Sequence, residues 1–120
     1  MGVCTTWQLK KIRNKMFKDL ERVIIARNTV VDCDMNNEAN VRIAIMVAKK
    51  IEEYSKYYAQ AIGEMKEQLS RVESNGVNID DNKFLSNYKA LKDDTKEVVD
   101  VMFEMYTDVY NVIKEWIDNE

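Results

Sequence analysis

Residues 44–72 read AIMVAKKIEEYSKYYAQAIGEMKEQLSRV, and the spacing inside this stretch decides the fold. Ala44, Ala48, Ile51, Ser55, Tyr58, Ile62, Met65, Leu69 and Val72 follow one another in alternating steps of four and three. Such steps return to one face of an α-helix, whereas like positions on a strand recur every two residues. Sustained over four heptads, the pattern predicts a long helix lying alongside a neighbour at a shallow angle. Small residues stand toward its start, so a neighbour can approach more closely at the Ala44 end.

Working outward, this helix is predicted over about 37–73. It begins at Asn36 or Asn37, and Ser74-Asn75-Gly76 supplies a left-handed stop signal. Further on, Tyr88, Leu91, Thr95, Val98, Met102, Met105, Val109, Val112 and Trp116 again step by three and four. A second row, Leu85, Val99, Tyr106, Ile113 and Ile117, widens this stripe, as suits a helix with two neighbours. The third helix is expected over about 80–118, starting near Asp80 or Asp81. Lys92-Asp93-Asp94-Thr95 is the place where a break would turn three helices into four. Toward the N-terminus, Leu9, Ile12, Met16, Leu20 and Val23 define a first helix over about 6–31, which Thr5 or Thr6 can cap.

The last two helices, each roughly 57 Å long at 1.5 Å per residue, are joined by a short turn and so are expected to lie antiparallel. The shorter first helix packs into their groove. The expected architecture is all-α: an elongated antiparallel three-helix bundle with coiled-coil-like packing, one domain over residues 1–120.

Composition agrees. A chain of 120 residues with 46% apolar and 32% charged side chains has material for a packed core and a solvated surface. Proline is absent and glycine occurs three times. A β-rich domain would draw more heavily on both for its turns. No stretch approaches the ~18 apolar residues of a membrane span, and nothing resembles a signal peptide. Cys4 and Cys33 bracket the first helix, which holds them roughly 40 Å apart. A disulfide needs Cα atoms within about 7 Å, so reduced thiols and a cytoplasmic setting are expected.

Histidine is absent. That removes His-dependent triads, His general bases and most zinc sites. There is no Gly-rich phosphate loop, and neither cysteine has an identifiable activating partner. No catalytic residue and no cofactor is assigned on this reading.

The net charge of −3 hides an asymmetry. Residues 1–30 carry seven Lys/Arg against two Asp/Glu, a net of +5, while residues 31–120 carry eleven against nineteen, a net of −8. The basic face of helix 1 comprises Lys10, Lys11, Arg13, Lys15, Lys18 and Arg22. It could neutralise several phosphates of a nucleic acid. The acidic remainder, with an isoelectric point near 5.1, would repel one from most of the surface, so nucleic acid is disfavoured as a partner.

Three local patterns carry possible chemistry. Met1-Gly2-Val3-Cys4-Thr5-Thr6 satisfies the N-myristoylation pattern, with Gly2 and Cys4 as lipidation candidates and the basic helix 1 directly after. One acyl chain anchors marginally, so a second lipid or a basic patch is needed for stable membrane association. Asp32, Asp34 and Asn36 imitate the first ligands of a calcium loop. Asn37 stands where glycine belongs, however, and Ile43 where a bidentate glutamate belongs. A polar helix–helix turn explains the segment better.

Glu97-Val98-Val99-Asp100 resembles the second metal-binding helix of the all-α NTP pyrophosphatases, the MazG and dimeric dUTPase group. That resemblance implies Mg²⁺ held by Glu97 and Asp100 against a triphosphate. It covers about 15 residues within Lys96–Tyr110. The family's partner motif is poorly matched, since Glu52-Glu53 is followed by Lys56 where a third acid is expected.

Tyrosines cluster at Tyr54, Tyr57 and Tyr58 and at Tyr106 and Tyr110. On antiparallel helices these could meet as a hydroxyl-lined pocket or an interface. Seven methionines suit an adaptable groove or core filling. The expected function is non-enzymatic: protein–protein interaction or self-assembly as a homo-oligomer, of the type found in small viral, phage or effector proteins. The alternatives are a Mg²⁺-dependent nucleotide pyrophosphatase-like enzyme and an N-acylated membrane-associated adaptor.

Overall fold

The computed structural model describes residues 6–119, with side chains from Gln8 onward. Gly2 and Cys4 therefore lie outside the described residues. Three helices make up the fold: α1 (Thr6–Val31), α2 (Glu38–Ser74) and α3 (Lys83–Asp118), with a single 3-10 turn at Ile79–Asp81. They form an all-α three-helix bundle measuring 60 × 24 × 22 Å. A helix of 37 residues is roughly 55 Å long, so α2 and α3 each run nearly its full length.

Side-chain pairs fix the directions. The Tyr88 hydroxyl donates to Gln68 Oε1 at 2.8 Å, while Glu52 lies beside Tyr106 farther along α3. As the position in α2 falls, its partner in α3 rises, so the two helices are antiparallel. Arg13 pairs with Asp94 at 2.9 Å and Arg27 with Asp108 at 2.8 Å. Both pairs advance together along the chain, so α1 runs parallel to α3 and the order is up, down, up.

Burial follows the heptad rows. On α2 the inward residues are Val41, Ala44, Ala48, Ile51, Ser55, Tyr58, Met65 and Leu69, and on α3 they are Leu91, Thr95, Val98, Met102 and Val109. Met16, Val30, Ile51, Met102 and Val109 are sealed from solvent. Each such side chain contributes about 1.5–3 kcal/mol relative to exposure. On α1 the core row is Leu9, Met16, Val23 and Val30, seven residues apart, with Asp19 also buried. Ile12, expected inside, is 44% exposed and Leu20 only half-buried. The row keeps a strict seven-residue repeat, and beside it, three residues after Met16, the helix buries Asp19 more deeply than Leu20.

The expected break at 92–95 does not occur, and α3 is continuous. Thr95 is buried, yet its hydroxyl donates to the Leu91 carbonyl at 2.7 Å. Ser55 on α2 does the same to Ile51 at 2.8 Å. Each polar seam residue is thus satisfied one turn back within its own helix, leaving no stranded hydroxyl to open the packing.

Caps mark the ends. Asn37 accepts from the Ala39 N–H at 2.9 Å, and Asn82 accepts from Phe84 and Leu85. The calcium-like segment is such a turn, with Asp34 accepting from the Asn36 N–H and Asn40 reaching back to the Asp34 carbonyl. At the end of α2, Gly76 donates to Glu73 and Val77 to Val72, while Gly76 takes φ +81°. This is a Schellman stop. A Cβ at Gly76 would meet nothing within 4 Å, so any penalty there is purely conformational. Gly76→Ala is expected to destabilise by about 1–2 kcal/mol, with Gly76→Asn losing less, as measured by urea denaturation.

Candidate functional site

The three helix pairs are packed unequally. α3 lies along both partners, whereas α1 and α2 meet least. Between those two a groove of about 440 Å³ remains open, lined by Arg22, Val23 and Ala26 of α1 and by Ile43, Met46, Val47, Lys50, Ile51 and Tyr54 of α2.

Its walls are mostly apolar and its rim is basic. Met46 is 69% exposed, and Ile43 and Tyr57 are also exposed. Lys50 sits over the Tyr54 ring at 5.4 Å and Lys15 over the Tyr57 ring at 5.7 Å. These cation–π contacts hold the ammonium groups along the aromatic rim, each worth about 0.5–1 kcal/mol at exposed sites. Arg22 reaches Asp19 at 3.5 Å. Ile25, one turn beyond Arg22, is exposed as well.

Below the groove lies a buried polar pair. The Tyr58 hydroxyl donates to Asp19 Oδ2 at 2.6 Å, joining α2 to α1. Both residues are buried, and no buried side-chain N or O among the described residues lacks a hydrogen-bond partner. Tyr58 was expected at an interface; it belongs to the interior, with Tyr57 packed edge-on against it at 5.0 Å.

Burial first, and then the hydrogen bond to Asp19, push the Tyr58 hydroxyl above its ordinary value. A group whose pKa is raised on folding contributes fully below its unfolded pKa, and that contribution declines as pH rises toward the folded value. Stability is therefore expected to fall above about pH 10, where free tyrosine ionises. Tyr58→Phe should remove part of that alkaline slope, measured by urea denaturation on either side of that pH.

The second tyrosine cluster does not meet the first. Tyr106 lies by Glu52, while Tyr54 lines the groove with α1. Two residues apart on α2, Glu52 and Tyr54 point to different sides. Burial, and after it Glu52, raise the Tyr106 hydroxyl, which stacks on Tyr110 at 6.2 Å. No shared hydroxyl-lined pocket forms between the clusters.

The carboxylate row at 97, 100, 104 and 108 divides. Asp108 is held by Arg27, whereas Glu97, Asp100 and Glu104 are exposed on α3. On α2, Glu52, Glu53 and Glu67 each pair with a cation of their own helix: Lys56, Lys50 and Arg71. Among the described residues, no three His, Cys, Asp or Glu side chains gather as a metal site would require. Of the basic face, Arg13 is turned to Asp94 on α3; Lys10, Lys11, Lys15, Lys18 and Arg22 are exposed. No helix among the described residues is long and apolar enough to cross a membrane.

Fold and groove together define an all-α three-helix bundle with one incompletely covered side. Compared with protein-family models, curated proteins and solved structures, the chain gives no match.

Proposed function

We propose that this protein is a non-enzymatic interaction module, working in the cytoplasm, that receives an amphipathic helix in the groove between α1 and α2. The observation that carries this reading is the groove itself, with exposed Ile43 and Met46 beside Arg22 and Lys50, and with Lys15 over the exposed Tyr57 ring as a further contact between α1 and α2 outside it. Exposed apolar surface of this kind, rimmed by charge, is characteristic of docking sites. A helix laid there would complete a four-helix cross-section and cover what α1 and α2 leave open. Methionine suits such a wall because its unbranched chain adapts to a partner.

The test places a photo-reactive benzophenone side chain at position 46, and as a control at position 71, which is exposed near the end of α2. Irradiation of concentrated pure protein and of native cell extract is expected to give protein adducts from position 46 and few from position 71. Equal labelling at both positions, or no adduct at 46 in either sample, would contradict the reading.

A further inference from the structure

We infer that the helix received in the α1–α2 groove is α3 of a second copy of this chain, presented by its exposed row Phe103, Tyr110 and Ile117. The inference rests on the docking reading above and names its partner.

The row is an apolar stripe on the solvent side of α3, among exposed polar residues. Phe103 is 62%, Tyr110 50% and Ile117 58% exposed. They stand seven residues apart, so they form one stripe along the helix. Val99 before the row, and Tyr106 and Ile113 between its members, pack against the core of their own bundle, which holds the stripe on a rigid support. Phe103 to Ile117 covers roughly 21 Å of helix, and the α2 wall of the groove, Ile43 to Tyr54, roughly 16 Å.

Charge decides the pairing of faces. Residues 97–118 contain six Asp/Glu and one Lys. One of the six, Asp108, is engaged by Arg27, while Asp100 and Glu104 flank Phe103 in solvent. The groove rim carries Arg22 and Lys50, which also reach Asp19 at 3.5 Å and Glu53 at 3.6 Å on their own helices, and Lys15 stands nearby over Tyr57. A symmetric contact of groove on groove would set Lys15, Arg22 and Lys50 against their own copies, and ridge on ridge would oppose Asp100 and Glu104 likewise. Only ridge into groove brings opposite signs together, and such matching governs orientation and partner choice more than raw affinity. Because donor and acceptor faces differ, the contact is head-to-tail. It is made once per step in a ring or an open chain, or twice in a two-fold dimer where each ridge enters the other copy's groove.

The test uses two charge reversals of the full chain, each checked for helicity by circular dichroism. One variant carries Lys15→Glu and Lys50→Glu, and the other Asp100→Lys and Glu104→Lys. In sedimentation velocity the wild-type mass should rise with concentration above that of the monomer. Each variant alone should associate at least about tenfold more weakly, and an equimolar mixture should recover assembly, because each reversed face meets an opposite one. Variants that associate like wild type, or a mixture that stays monomeric, would overturn the inference. A wild-type chain that remains monomeric while position 46 still crosslinks a foreign protein in extract would overturn the second copy alone and leave the docking reading standing.

Discussion

Met102→Ala is expected to lower the unfolding free energy by about 2–5 kcal/mol, while Phe103→Ala, one residue on, changes it by less than about 0.5 kcal/mol in dilute solution. Met102 is completely buried and Phe103 is 62% exposed. Truncating Met102 removes side-chain atoms from contact with the core and leaves a void that three long rods cannot easily close around. Phe103 loses mostly solvent-facing surface, with one tilted ring contact to Tyr106 at 6.3 Å. Urea denaturation of both variants measures the difference. Comparable losses at the two positions would mean that α3 is rotated from the orientation described here.

The second large effect comes from the buried pair. Tyr58→Phe keeps the ring and its packing but strands the Asp19 carboxylate, whose side chain is only 6% exposed, with Arg22 at 3.5 Å as its remaining partner. Leaving a buried acceptor unsatisfied costs about 1–3 kcal/mol, and more when the group is charged. Asp19→Leu makes the complementary error, stranding the hydroxyl instead. The double variant, Asp19→Leu with Tyr58→Phe, is expected to be less destabilised than the two single losses added, because replacing both partners by apolar groups can be nearly neutral. A thermodynamic cycle of the four proteins gives the coupling. Additive losses would show that the hydrogen bond couples the two sites little.

Residues of this kind also explain what could and could not be seen in the amino-acid pattern. The rows on α2 and α3 were legible because large apolar residues recur at three and four over several heptads. Twelve of the eighteen seam residues named from spacing are buried; Ile62, Val72, Tyr88, Met105, Val112 and Trp116 are half-buried, and Ile117 of the second row is exposed. Helix ends were legible because Asn37 and Gly76 carry the local chemistry that caps require. On α1 the reading followed hydrophobicity to Ile12 and Leu20, whereas the helix buries Asp19 and Val30. A carboxylate in a core row looks like a surface residue until its partner is known, and that partner lies 39 residues away on another helix. The strict repeat through Leu9, Met16, Val23 and Val30 was the available signal. Asp93 and Asp94 suggested a break, but Asp94 turns to Arg13 and the helix runs on.

The groove was hidden for a related reason. Periodicity tells which face of a helix is apolar but not how closely two such faces approach, so the weaker meeting of α1 and α2 had no local signature. Ile43, Met46 and Tyr57 read as ordinary members of an apolar-rich helix, and their exposure follows only from the placement of α1. Charge separation between a basic α1 and an acidic remainder was visible from the outset. Its meaning changed once Arg13 and Arg27 proved to bind α3 within the bundle while Arg22 proved to rim the open side.

Methionine methyl spectra of the ¹³C-labelled protein, recorded with a soluble paramagnetic agent, test the central claim most directly. In dilute solution the Met46 methyl should broaden strongly while those of Met16 and Met102 stay sharp. At high concentration Met46 should become protected and the other two remain unchanged. A Met46 methyl shielded in the dilute monomer, or a Met102 methyl broadened there, would contradict the bundle and its open groove together.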